Sequence, residues 1–122
     1  MLQIVEGKKP VIAKVHGAAF AAGCQLVASC DLAYSTKDSL FATPGVNIGL
    51  FCSTPMVAVS RKINRKPMMH MLLTGEPIKA NYAKEIGLIN DHFSKSKLND
   101  EVLKVAKKIA SKSNLTIKIG KQ

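Results

Sequence analysis

The stretch from Pro10 to Gln25 (PVIAKVHGAAFAAGCQ) constrains the fold more than any other part of the chain. Pro10 to Val15 is a short apolar run rich in β-branched residues, bounded by Pro10 and by His16-Gly17. Such a run predicts a buried parallel strand, with Pro10 tolerated only at its first position. Gly17 to Gly23 then carries almost no side chain, which predicts a tight turn, and Cys24 to Ser29 predicts a short helix. A small-residue turn between strand and helix lets a ligand touch the backbone. The helix N-terminus offers it unpaired N–H groups and a partial positive charge. That is how a backbone oxyanion hole is made. The alternative is a tight turn whose alanines pack under a neighbouring helix.

Elements follow at short spacing. Met1 to Glu6 predicts helix, stopped by Gly7. Asp31 to Ser35 and Ser39 to Ala42 predict strands, and Thr43 to Ser53 a Gly- and Pro-containing loop with Leu50 and Phe51 exposed. Thr54-Pro55 predicts an N-cap followed by proline at the first helical position, for a helix to about Ile63. Further helices are predicted from Arg65 to Thr74-Gly75 and from Lys79 to Ile86, with Leu88 to Phe93 extended between the latter and the next. Asn99 to Ser111 is amphipathic, with Val102, Val105, Ala106, Ile109 and Ala110 on one face. Leu115 to Gln122 begins a further segment. The order implies an α/β chain with a parallel sheet. One domain is expected, with the sheet and turn in residues 1–65 and the helical part in residues 66–122.

Hydrophobic residues make up 47% and charged residues 21%, which excludes a disordered chain. No apolar run approaches a membrane span, and no secretory segment opens the sequence. Cys24, Cys30 and Cys52 form an odd set without metal-ligand spacing, so free thiols in a reducing compartment and no metal are expected. Of the net charge of +10, +9 falls from Arg61 onward, where 14 basic residues face 5 acidic ones. A polyanion such as CoA phosphates, RNA or an acidic membrane would suit that imbalance, and so would a merely Lys-rich surface.

Four separated motifs then carry a resemblance: KPVIAKVHGAAFAAGCQL, CDLAYS, FATPGVNIGL and LLTGEPIKANYAKEIGLIN, in that order, with KIASKS near the end. Together they resemble the enoyl-CoA hydratase/isomerase (crotonase) family over Lys8 to Gln122. The resemblance implies the crotonase (ClpP-like) spiral fold, present here as a partial domain that lacks N-terminal strands and C-terminal helices. It implies an acyl-CoA thioester as substrate or ligand, no other cofactor, a role in fatty-acid metabolism, a possible homotrimer and a mitochondrial location, although this chain has no transit peptide.

By motif position the resemblance places one oxyanion-hole donor at the Ala22 N–H, beside Ala21. The second donor would come from before the first strand. The family's two acid–base glutamates fall on Gln25 and Gly45, the latter following Pro44. Gln25 cannot take up a proton at neutral pH, and Gly45 has no side chain. Acid–base catalysis contributes about 10²–10⁴ in rate, so hydratase activity is expected to be weak or absent and the chain to act as an acyl-CoA-binding pseudoenzyme. Asn47 and Ser53 could orient a ligand. Ser53 is the position whose backbone helps seat water in hydratases. Cys52 would be a nucleophile only with a lowered pKa. His16, His70 and His92 belong to no constellation, and Asp31 is expected to anchor a turn.

Lys104, Lys107, Lys108 and Lys112 share a helical face. A second reading makes this comb part of an interaction or RNA-binding module, but no basic–aromatic interleaving supports base stacking. A third reading is a non-functional fragment.

Overall fold

The computed structural model describes residues 1–122. Pro10 has no N–H to give a ladder, and strand β1 (Ile12–Val15) starts beyond it. β1 lies parallel to β3 (Leu32–Thr36), with Ile12 opposite Leu32 and Val15 opposite Ser35. β3 in turn lies parallel to β6 (Asp91–Phe93), giving the order β1-β3-β6. A second sheet has the order β2-β4-β5, from Ala18–Phe20, Leu40–Ala42 and Ile78–Lys79. β2 and β4 are parallel, β4 and β5 antiparallel.

The segment expected as one turn from Gly17 to Gly23 is therefore divided. Ala18 to Phe20 is a strand, because Leu40 to Ala42 offers it a parallel partner. Alanine has little strand preference of its own, and tertiary pairing overrides it. Helix α2 (Ala22–Ser29) consequently begins two residues before its expected start at Cys24. β1 also departs from expectation. Only Val15 is buried, since β1 is an edge strand with a single neighbour. Lys14 is exposed, and its ammonium donates to the Asn99 side chain on α6 (Leu98–Ala110).

α1 (Leu2–Glu6) precedes the first sheet. α3 (Ser53–Ser60) begins one residue before the expected cap at Thr54 and ends short of Ile63. Its first helical bond runs from the Met56 N–H to the Cys52 carbonyl at 2.9 Å. Pro55 thus sits third in the helix, still within the first turn, where an N–H would be unbonded anyway. α4 (Arg65–Thr74) stops at Gly75 in the left-handed conformation. α5 (Ala80–Glu85) and α7 (Asn114–Lys121) complete the chain.

The core draws from both sheets and the helices around them. Cys24, Val27 and Ala28 of α2 meet Phe41 of β4, Val59 of α3, Met68, Met71 and Leu72 of α4, and Ala80 and Ala83 of α5. α6 presents Val102, Val105, Ala106 and Ile109 half-buried as its pattern predicts, while Ala110 is exposed. Its fully buried anchor is Leu98. Lys121 holds the two ends of the chain together. Its Nζ donates to the Ile4 carbonyl at 2.8 Å and the Lys9 carbonyl at 2.6 Å, and pairs with Asp31 Oδ2 at 2.9 Å. Three donors meet three acceptors with the side chain 7% exposed. Asp31 also accepts the Val11 N–H at 2.8 Å, so it anchors structure as expected.

Candidate functional site

β2 passes into α2 through one residue. Ala21 has φ 51° and ψ −115° and is the only non-glycine residue with positive φ. Such a conformation favours glycine and stores about 1–3 kcal/mol in an alanine. Two bonds hold it. The Ala21 N–H donates to the Ala42 carbonyl at 2.9 Å, and the Ala21 carbonyl accepts the Gln25 N–H at 3.0 Å. The latter is the first bond of α2, so the N–H groups of Ala22, Gly23 and Cys24 have no intrahelical acceptor. Ala22 is exposed and Ala21 and Gly23 are half-buried, which leaves this helix start open to solvent.

The bond to Ala42 also sets the Ala21 turn beside the end of β4, from which Thr43, Pro44 and Gly45 run on. A 3-10 helix (Pro44–Ile48) follows, so the segment expected as plain loop is partly helical. The structure thus places Ala21 against Ala42, three residues ahead of Gly45 in the chain. Gln25 lies half-buried one turn into α2, where its carbonyl accepts the Ser29 hydroxyl at 2.8 Å. Ser53 is exposed at the start of α3. The Asn47 side chain is turned onto Gly75, where a Cβ would come within 2.7 Å of its Oδ1.

Gly45 is the most tightly enclosed of these residues. Its N–H donates to Cys52 Sγ at 3.3 Å, and its carbonyl accepts the Leu50 N–H at 2.9 Å. A Cβ added there would stand 2.7 Å from the Leu50 carbonyl oxygen and 3.0 Å from Cys52 Sγ. No residue pattern announces this contact, since it depends on the loop doubling back over seven positions. Thr43 is a second residue the sequence did not single out. It is 1% exposed, and its hydroxyl has no partner within the chain.

The remaining candidates separate. All three cysteines are free thiols. Burial first, and then the neighbouring Cys52, push the Cys24 thiol up to about 12, so Cys24 is protonated at neutral pH. Burial and then Asp31 raise Cys30 as well, and its thiol donates to the Leu26 carbonyl at 3.3 Å. His16 is exposed beyond β1. His70 meets Glu76 at 3.5 Å on the surface. His92 has a buried Nδ1 without a partner, on β6. No cluster of His, Cys, Asp or Glu could hold a metal ion. In the lysine comb, Lys104 is paired with Glu101 at 3.3 Å, and Lys112 lies beyond the end of α6. No helix is long and apolar enough to cross a membrane.

Comparisons with known proteins bear on the family and the fold. A profile of the family described as enoyl-CoA hydratase/isomerase matches residues 1–122. The mitochondrial enoyl-CoA hydratase domain-containing protein 3 of Danio rerio is 52% identical over 122 residues, which are 100% of this chain and 42% of that protein. Among solved structures, enoyl-CoA hydratase of Mycobacterium smegmatis superposes with a TM-score of 0.96 at 50% identity, covering 98% of this chain and 47% of the other. Human enoyl coenzyme A hydratase domain-containing protein 3 superposes at 0.95 with 51% identity, again covering 98% and 47%. The chain therefore spans less than half the length of these relatives. The expected crotonase-type α/β fold is met along the whole chain, and the chain belongs to the enoyl-CoA hydratase/isomerase family.

Proposed function

We propose that this chain contributes an acyl-CoA thioester site in which the backbone N–H of Ala22 binds the thioester oxygen, and that the site adds water to an enoyl-CoA weakly or not at all. The observation that carries the reading is the strained Ala21, which opens α2 directly from β2 and leaves the Ala22 N–H exposed without an intrahelical acceptor. Strain persists where surrounding bonds over-determine it, and it concentrates at functional sites. A donor aimed at the carbonyl oxygen would stabilise the enolate that forms when charge moves onto it.

The second half of the proposal rests on Gln25 and Gly45, which stand where the resembling family carries its acid–base glutamates. Neither can act as a general acid or base near neutral pH, so on this reading the site polarises a thioester without activating a nucleophile. A role in fatty-acid metabolism, a mitochondrial location and a homotrimer belong to the same reading. The names of the relatives support the location, since they describe mitochondrial proteins.

The test is to replace Ala22 by proline. Proline suits the first helical position and deletes the N–H, while also restricting the backbone of Ala21 before it. A hydrogen bond to a neutral carbonyl contributes about 0.5–1.5 kcal/mol, so acyl-CoA affinity measured by calorimetry should fall roughly 2- to 10-fold. Circular dichroism checks that α2 persists. Unchanged affinity in a folded variant would remove Ala22 from the site.

A further inference from the structure

The space where a side chain at position 45 would begin is already filled. A Cβ on Gly45 would stand 2.7 Å from the Leu50 carbonyl oxygen, 3.0 Å from Cys52 Sγ and 3.3 Å from the Cys52 nitrogen. Even close carbon–oxygen contacts in proteins sit at about 3.3–3.6 Å. The Leu50 oxygen is backbone, so clearing it means moving the chain at Leu50, and the Leu50 N–H is bonded to the Gly45 carbonyl at 2.9 Å, as the Gly49 N–H is to that same carbonyl. On the other flank the Gly45 N–H is taken by Cys52 Sγ at 3.3 Å. On the side of α4 the loop is closed as well, so only its outer, solvent-facing side, Asn47 to Phe51, is open. A Cβ on Gly75, which has φ +66°, would meet Asn47 Oδ1 at 2.7 Å and Val46 Cγ2 at 3.1 Å. The 3-10 helix is therefore seated against the end of α4.

We infer that Gly45 is a required glycine and not a vacated catalytic position, and that Cys52 is the positioning residue that fixes the loop from Pro44 to Cys52 over the thioester site. The inference deepens the thioester-binding reading and rests on it. It narrows the ligand class to acyl-CoA thioesters whose handling needs no carboxylate at position 45. A glutamate there requires the loop to open, so the acid–base pair cannot be rebuilt by Gln25→Glu with Gly45→Glu.

The test uses Gly45→Ala, Gly45→Ala with Cys52→Ala, Gln25→Glu, and Gln25→Glu with Gly45→Glu. Overpacking of this kind should lower the thermal midpoint of Gly45→Ala by at least about 5 °C. It should also change the rate at which a maleimide labels Cys52 by roughly tenfold or more, since the displaced thiol loses its N–H donor. Adding Cys52→Ala should recover only part of the midpoint, because the Leu50 carbonyl stays in place. The double glutamate variant should hydrate an enoyl-CoA no faster than Gln25→Glu alone. A Gly45→Ala protein with an unchanged midpoint and unchanged Cys52 labelling would overturn the inference, even if the glutamate variant fails to fold. So would a folded double glutamate variant that gains hydratase activity. Failure of the unmodified protein to bind acyl-CoA would contradict the thioester reading instead, and the midpoint and labelling results separate the two.

Discussion

Ala21 is the residue at which sequence, strain and proposed chemistry meet. Its φ of 51° is carried by a side chain small enough to survive there. A β-branched residue is not. Ala21→Val should therefore cost about 1–3 kcal/mol of stability and weaken acyl-CoA binding, because relaxing the strain would move the start of α2. Ala21→Gly removes the Cβ, so it should relieve that strain, offset in part by about 0.4–1 kcal/mol of added freedom in the unfolded chain, and keep binding near its original value. Thermal melts and calorimetry on the two variants check the pair, and equal behaviour would show that the conformation carries no function. The thiols give a second prediction at this scale. Cys24 and Cys30 are buried and Cys52 is partly open, so alkylation of the folded protein near pH 8 should mark Cys52 first by mass spectrometry. Cys24 has a folded-state value of about 12, above its ordinary 9.0. A raised value means that its stabilising contribution is complete below pH 9.0 and is lost as pH rises toward about 12. Cys24→Ala should flatten that part of the stability profile.

The elements differ in how far they could be read beforehand. Ile12–Val15 lies within a short apolar run bounded by breakers, and its strand and that of Leu32–Thr36 fall within a residue or two of the expected Pro10–Val15 and Asp31–Ser35. Ala18–Phe20 has no such pattern, because its strand exists through a partner that begins at Leu40. Leu98 sat just outside the helical face read from periodicity, yet it is the fully buried residue of α6. The site divides the same way. Motif position nominates Ala21, Ala22, Gln25 and Gly45 as candidates, whereas the closure of Cys52 onto Gly45 is a tertiary contact that no spacing encodes. Lys121 belongs with the unreadable features, since its partners lie near the other end of the chain. Its pair with Asp31 lies between an exposed pair and a fully buried one, so Lys121→Met should cost about 2 kcal/mol. Hydrogen exchange should then quicken in α1 and α7 while β3 and β4 hold. Uniform loss of protection would mean that the clamp supports the whole fold.

At the scale of the molecule, two small sheets share one core to which α2 contributes, and α2 starts directly from β2 of the second sheet. That placement lets an open helix N-terminus stand on a rigid base, which is what a backbone donor site requires. On the proposed reading, Gln25 and Gly45 take the places of the residues a hydratase would need, and Leu50 and Cys52 fill the space beside Gly45. The central claim is binding without hydration, and one sample can read both. The protein is titrated with an enoyl-CoA while calorimetry follows heat of binding and absorbance follows loss of the conjugated double bond. The account predicts a saturable isotherm with the double bond intact over the course of the titration. Rapid loss of the double bond, or no saturable heat at all, would contradict it.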